Sequence, residues 1–202
     1  DKYYSIRGDL SSVANKFSFK NMNVSSIKPD QEDYHDQVQS IFGTAQLGWQ
    51  SKIYLDLTGR IDWASALAGT SSNSVAYPSV GLTGILTDLI PGIKSNVLSF
   101  LKVRGSYSEV GNAPRRYVPF QTYPFQVGTP STSTTYPNSD IKPERTKSWE
   151  VGLESHFWGD KVNLNVSLYK TSTYNQLFCP TLPSSSGYSS IYINGGQIDN
   201  KG

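Results

Sequence analysis

Lys161-Val162-Asn163-Leu164-Asn165-Val166-Ser167-Leu168 alternates polar and apolar residues without a break. Residues i and i+2 of a strand share a face. Val162, Leu164, Val166 and Leu168 therefore make one greasy face, and Asn163, Asn165 and Ser167 make an amide- and hydroxyl-lined one. The same period returns in Ile53, Leu55, Leu57, Gly59 and Ile61 against Tyr54, Asp56, Thr58, Arg60 and Asp62. It returns in Leu101, Val103 and Tyr107 against Lys102, Arg104, Ser106 and Ser108, and in Trp149, Val151, Leu153 and Phe157 against Ser148, Glu150, Glu154 and His156. A half-buried soluble strand shares this alternation. Length separates the two cases: these runs hold for about 10 residues, whereas soluble strands cluster near 5–6 and membrane-crossing strands need about 9–11.

The composition is consistent with both an open β-sandwich and a membrane β-barrel. Charged residues make up 17% of the 202 and aromatics 12%, including 13 Tyr and 4 Trp. The mean hydropathy is nevertheless on the hydrophilic side, as a barrel with a polar interior and wet loops requires. The net charge of +2 comes from 18 basic and 16 acidic residues spread singly, which argues against nucleic acid as a partner. No apolar run reaches the ~18 residues of a transmembrane helix, and no signal peptide is visible. The single cysteine, Cys179, excludes an intrachain disulfide and has no His or carboxylate beside it in sequence to activate it.

Along the chain, residues 1–39 read as a long loop region and 40–202 as strands and connections. Strands are expected over about 40–50, 52–63, 77–87, 98–110, 147–158 and 161–172, with a seventh beginning near Ile191. The connections at 50–52, 88–97 and 159–160 are short, and those at 64–76, 111–146 and 173–190 are long. The excursion at 111–146 holds six of the eleven prolines and the run Thr129-Pro130-Ser131-Thr132-Ser133-Thr134-Thr135. Up-and-down strands place every second connection at the same end, so short turns gather on one side and long loops on the other, as in outer-membrane barrels. Trp49, Trp63, Trp149 and Phe157 sit near strand ends on the greasy face, where interfacial aromatic girdles belong. In a sandwich the same rings would fill the core. Seven strands are too few for a pore and single-chain bacterial barrels have even counts, so the expectation is an all-β, antiparallel up-and-down section of a larger transmembrane barrel.

Several segments in order carry a family resemblance: Gln39-Ser40-Ile41-Phe42-Gly43-Thr44-Ala45-Gln46-Leu47, Tyr54-Leu55-Asp56-Leu57-Thr58-Gly59-Arg60-Ile61-Asp62-Trp63 and Tyr77-Pro78-Ser79-Val80-Gly81-Leu82. Leu101-Lys102-Val103-Arg104-Gly105-Ser106-Tyr107-Ser108-Glu109-Val110-Gly111-Asn112, the segment Ile141 to Leu153, and Tyr192-Ile193-Asn194-Gly195-Gly196-Gln197-Ile198-Asp199-Asn200-Lys201-Gly202 complete the series. Together they resemble the SusC/RagA-like branch of TonB-dependent outer-membrane transporters; Ile61 departs from it, standing where the family often has a polar residue. The resemblance implies a 22-stranded barrel with an N-terminal plug, short periplasmic turns and long extracellular loops in the outer membrane of a Gram-negative bacterium. It also implies a SusD-like lipoprotein lid, energy from TonB through the plug, and import of oligosaccharides or peptides. No segment of this chain reads as plug or TonB box.

Signals of chemistry are weak. Asp56-Leu57-Thr58-Gly59 differs from the Asp-Thr-Gly of aspartic proteases by an inserted leucine and has no second copy. Glu150 and Glu154 could suggest glycoside hydrolysis, but pairing with Lys102 or Arg104 on a neighbouring strand is the simpler expectation. His35 and His156 lack metal-ligand spacing, and Gly111-Asn112 is not part of a phosphate loop. No catalytic, cofactor or metal residue is assigned. A carbohydrate-binding β-sandwich is the alternative to the transporter, with a β-rich hydrolase third.

Two sets of site residues follow. Leu55, Leu57, Val103, Val151, Leu153, Leu164 and Val166 are expected on lipid, and Asp56, Arg60, Lys102, Arg104, Glu150, Glu154 and Asn163 in the lumen. Tyr117, Phe120, Tyr123, Phe125, Tyr136, Tyr174 and Tyr188, in the loops at 111–146 and 173–190, are expected to meet substrate or the lid, because tyrosine offers a flat apolar face and a hydroxyl.

Overall fold

The computed structural model describes residues 2–11, 13, 15–126 and 129–202. Asp1, Ser12, Ala14, Val127 and Gly128, which fall in the two expected loop regions 1–39 and 111–146, lie outside the described residues. The chain divides into two compact units, Asp1–Gln37 and Val38–Gly202.

In the first unit, β1 (Lys2–Arg7) and β2 (Lys28–Asp33) form an antiparallel pair. The sequence reading placed only a loop here. Hydrophobic alternation is absent from both strands; their pairing rests on backbone bonds and on Lys2 opposite Asp33, 3.1 Å apart. Two single-turn 3₁₀ helices between them are capped by the side chains of Ser18 and Asn23, which accept bonds from Lys20 N and Ser25 N.

The second unit is built on seven long antiparallel strands: β3 (Val38–Trp49), β4 (Ile53–Ala64), β5 (Ser74–Ile85), β6 (Leu98–Asn112), β10 (Glu144–Phe157), β11 (Val162–Phe178) and β13 (Ile193–Lys201). Short strands β7 (Phe125–Gln126), β8 (Thr129–Pro130), β9 (Thr135–Tyr136) and β12 (Ser190–Ile191) decorate the connections. The sheet runs β3-β4-β5-β6-β10-β11-β13, so each long strand pairs with its neighbours among the long strands in chain order, and the sheet is open. The register aligns the greasy face across the wall: Leu47–Leu55–Leu82, then Val103–Leu153–Val166.

Within the second unit, the described residues leave that face bare. Val151 is 57% exposed, Leu164 49% and Leu168 65%, which is not the sealed core of a sandwich. The fully buried apolar side chains are Leu67, Val75 and Ile141, at the long-loop end. Among the described residues no helix is long and apolar enough to cross a membrane; crossing by strands is a separate matter.

The tight connections are made by left-handed residues. Gln50 and Ser51 both have positive φ and Lys52 N bonds Trp49 O at 2.9 Å, a left-handed turn that follows the twist of the strands and leaves three residues between the paired Trp49 and Ile53. Trp158, Gly159 and Asp160 are all left-handed in the β10–β11 turn, which His156 Nδ1 and Asp160 Oδ1 clamp at 2.6 Å. Residues 86–97 hold one helical turn, α1 (Leu86–Leu89), and are tied to the first turn by Ile85 N to Lys52 O at 2.8 Å.

The strands outrun their apolar alternation at the long-loop end. β5 begins at Ser74, β10 at Glu144, and β11 continues to Phe178. The extensions of β10 and β11 carry polar residues on both faces, so their hydrophobic period is lost while their pairing continues, helped by Thr146–Thr173 (2.8 Å). One consequence is that the connection at 65–73 is shorter than that at 86–97, although the sequence suggested the reverse. The β5–β6 ladder stops at Ser79–Ser108. Pro78, next along β5, has no N–H to donate. Beyond it, Val75 and Tyr77 lie close against Gly111.

Candidate functional site

The register brings Asp56, Arg60, Lys102, Arg104, Glu150, Glu154 and Asn163 to one face of the sheet, opposite the greasy one. Lys102 and Glu154 are direct cross-strand partners and meet at 2.6 Å, each about 29% exposed. Opposite charges so placed contribute roughly 0.2–1 kcal/mol. The pairing expected between these strands is therefore present, and it occupies both carboxylates that could have suggested hydrolysis.

Arg104 has a different partner directly across: Gly152, which in turn faces Ser167 on β11. The guanidinium passes over the bare glycine, donating to Ser167 Oγ at 2.9 Å and to Glu150 Oε1 at 3.2 Å. A Cβ at position 152 would stand 2.9 Å from Arg104 Cγ. One arginine thus links three strands, and the missing side chain makes the crossing possible. Sequence reading found Arg104 and Glu150 but not Gly152 or Ser167; the signal was a glycine between two glutamates on an otherwise occupied face.

The remaining groups form local pairs. Gln46 donates to Asp56 at 2.6 Å across β3–β4. Arg60 is held bidentately by Asp62 and lies 5.4 Å from the centre of the Tyr77 ring. At the short-turn end, His156 Nε2 is 3.4 Å from Glu154 Oε1, and its ring packs on Phe100 with centroids 4.9 Å apart. Asn163 is the register partner of His156. Among the described residues no three His, Cys, Asp or Glu gather as metal ligands.

On the greasy face the register defines level rows across β6, β10, β11 and β13. Val103–Leu153–Val166 and Gly105–Val151–Leu168 are apolar; the next row is Tyr107–Trp149–Lys170–Lys201, and the one beyond is Glu109–Lys147–Ser172–Asp199. Tyr107 and Trp149 pack at 4.4 Å between centroids. From Phe157 to Trp149 the strand rises about 27 Å at ~3.4 Å per residue, or about 21 Å across a bilayer at a 40° tilt, close to the ~25 Å apolar band of membrane barrels. Above the rings the face turns polar, and Glu109 accepts from Arg145 at 2.9 Å and from the Tyr174 hydroxyl at 2.6 Å.

Tyr174 was expected in a loop. It is a strand residue of β11, because the strand runs on to Phe178, and its hydroxyl is committed to Glu109. The other aromatics are in the connections. Tyr117, Tyr123 and Phe125 are well exposed, and Phe120 lies against Gly69 of the neighbouring connection. Tyr136 and Tyr188 are brought together edge to face, 5.1 Å apart.

The two longest connections are stitched to each other. β9 and β12 pair in parallel, Ser189 N bonds Thr134 O at 2.8 Å, and Asn138 Nδ2 bonds Tyr192 O at 2.9 Å. Asn194 accepts from Lys142 N at 2.7 Å and donates to Lys142 O and to Asn175 O, both at 2.8 Å. Its amide thereby mimics a strand partner for a proline-rich segment. Asn194 does this from within the strand Ile193–Lys201.

The family model described as "TonB dependent receptor-like, beta-barrel" matches residues 3–202. Two TonB-dependent receptors of Formosa agariphila are similar to the chain: one is 26% identical over 96% of the chain and 20% of the relative, the other 28% identical over 82% and 18%. The chain thus spans about a fifth of the length of the curated relatives it matches. A solved structure of the RagAB peptide importer in an open-open state superimposes with a TM-score of 0.74 and 24% identity, over 95% of this chain and 21% of that one.

Proposed function

We propose, from the premise that this chain belongs to the TonB-dependent receptor-like β-barrel family, that it is a stretch of the wall of an importer in which the greasy face lies on lipid and the charged face lines the lumen. Barrels of this family sit in the outer membrane of Gram-negative bacteria, and the strands here are antiparallel barrel strands. In this reading, Leu55, Leu57, Val103, Val151, Leu153, Leu164 and Val166 contact acyl chains. Asp56, Arg60, Lys102, Arg104, Glu150, Glu154 and Asn163 face the passage. The observation that supports it best is the apolar belt: a bare apolar face, bounded by rings, backs a face of paired charges.

The long connections, and residues 1–39, are assigned to the extracellular side. Their exposed rings, Tyr117, Tyr123, Phe125, Tyr136 and Tyr188, serve as the surface for a SusD-like lipoprotein lid and its oligosaccharide or peptide cargo. Tyr174 is left out, since Glu109 holds its hydroxyl. TonB engages through the plug region. The likeness to a structure named as a peptide importer favours peptide over glycan cargo. Nothing in the paired carboxylates calls for catalysis.

The test is cysteine accessibility in the full-length transporter. With the exposed native thiol removed by Cys179→Ser, Leu153→Cys should react with a lipid-soluble maleimide and resist a membrane-impermeant one, while Ser167→Cys should show the opposite preference. Equal labelling of both by the impermeant reagent would refute the face assignment. For the loops, deleting residues 129–135 should weaken lid association while the barrel still inserts; full uptake and full lid association after the deletion would overturn that part.

A further inference from the structure

Four cations stand above the apolar belt on the greasy face: Lys170 and Lys201 level with the Tyr107–Trp149 rings, Lys147 one row beyond, and Arg145 beyond that. Two carboxylates share this region. Glu109 is taken by Arg145 and Tyr174, and Asp199 accepts from Gln197 at 2.9 Å and offsets part of the charge of Lys170, leaving a net positive charge in this region. Lys147 leans on the Tyr174 ring, with its Nζ 5.1 Å from the centroid. Lys170 and Lys201 are direct cross-strand partners. Like charges directly opposite on a sheet face are unfavourable, and both lysines are exposed, so an anion held between their ammonium groups offsets the repulsion.

The place of the pair decides what the anion is attached to. The next row toward the belt centre is Val151–Leu168, both more than half exposed. An anion bridging Lys170 and Lys201 therefore sits where acyl chains meet headgroups. We infer that Lys170 and Lys201, with Lys147 above them and Trp149 beside them, form a binding site for the phosphate of a lipid headgroup in the leaflet on the long-loop side. The lipid's chains run down over Val151 and Leu168, its phosphate accepts from the two ammonium groups, and the Trp149 ring borders it. This rests on the assignment of the greasy face to lipid. It adds a preferred lipid chemistry and names the residues that select it.

The experiment uses the full-length transporter in detergent micelles and a fluorescent phosphatidic acid, with diacylglycerol of the same chains as the phosphate-free control. The transporter should bind phosphatidic acid in preference to diacylglycerol, and Lys170→Gln/Lys201→Gln should weaken that binding roughly twenty-five-fold, at about fivefold per lysine near a charged lipid surface. Lys170→Arg/Lys201→Arg should retain it, which separates loss of charge from loss of folding. Binding within twofold of the parent for the glutamine variant, or no preference over diacylglycerol in the parent, overturns the inference. So does displacement of the lipid by millimolar inorganic phosphate, since the site would then be one for soluble anions. A spin label at Val151, relaxed by a lipid-soluble but not a water-soluble quencher in the same preparation, checks the face assignment alone. Loss of phosphate preference with Val151 still in lipid defeats only the site.

Discussion

Gly152→Ala is the sharpest single test of how the charged face is built. The added methyl would stand 2.9 Å from Arg104 Cγ, inside normal contact, so the guanidinium must leave its crossing. Two interactions go with it: the pair with Glu150 and the bond to Ser167. Arg104 and Glu150 are each about 42–43% exposed, so the pair is worth only ~0.2–1 kcal/mol, and the hydroxyl bond adds ~0.5–1.5 kcal/mol. Against this, alanine in a strand interior gains ~0.5–1 kcal/mol over glycine. The net expectation is a loss of about 1 kcal/mol. Gly105 is the control: it pairs with Val151 across β6–β10, and a Cβ there meets nothing within 4 Å, so Gly105→Ala should stabilise by ~0.5 kcal/mol. The assay is urea unfolding of the refolded full-length barrel, followed by tryptophan fluorescence and by mobility of the unheated protein on gels. In an Arg104→Ala background the cost of Gly152→Ala should vanish, because the crossing group is gone. A cost that persists unchanged in that background, or the same sign for both glycines, would refute the account.

Asn194→Ala removes three side-chain bonds that tie the connection between β6 and β10, and strand β11, to β13. It should cost ~1–3 kcal/mol at ~0.5–1.5 per bond with partial recovery by water, read as faster proteolysis within 129–135 with the strands still protected. Leu153→Arg, in the middle of the apolar belt, should cost ~2–4 kcal/mol of folding free energy in bilayers, whereas Thr58→Arg on the charged face should cost well under half as much; equal costs in vesicle refolding titrations would contradict the two-faced wall. Glu154→Gln breaks the pair with Lys102 at 2.6 Å and should lower stability by no more than ~1 kcal/mol, an effect that fades when the same titration is run at high salt.

Where apolar and polar residues alternate strictly along a strand, the structure was legible in the sequence. The alternation over Val162 to Leu168 and Ile53 to Ile61 placed both strands, their faces and their tight turns. The nearness of Lys102 to Glu154 followed from aligning strand ends. The polar extensions were not legible, because Thr146, Thr173 and their neighbours carry no hydrophobic period even though they pair. The β1–β2 hairpin escaped for the same reason. The crossing of Arg104 over Gly152 depends on which residue lies opposite which, and register is a property of two strands that no single segment encodes. The clamp between Asn194 and Lys142 joins residues distant in the chain, and Tyr174 could be placed only once the end of β11 was known.

The early stop of the β5–β6 ladder can be restated mechanically. A closed wall behaves as a hoop, and its resistance to being stretched is that of its weakest seam. Between β5 and β6 the backbone is joined only from Ser79–Ser108 to Ile85–Lys102, a shorter run than on either flank. Above Pro78 the two strands are kept in place by the packing of Val75 and Tyr77 on Gly111. Side-chain packing yields gradually, while a hydrogen-bonded ladder opens bond by bond. Within this stretch of wall, outward load on the long-loop side is therefore met between β5 and β6 by side-chain packing and not by a ladder.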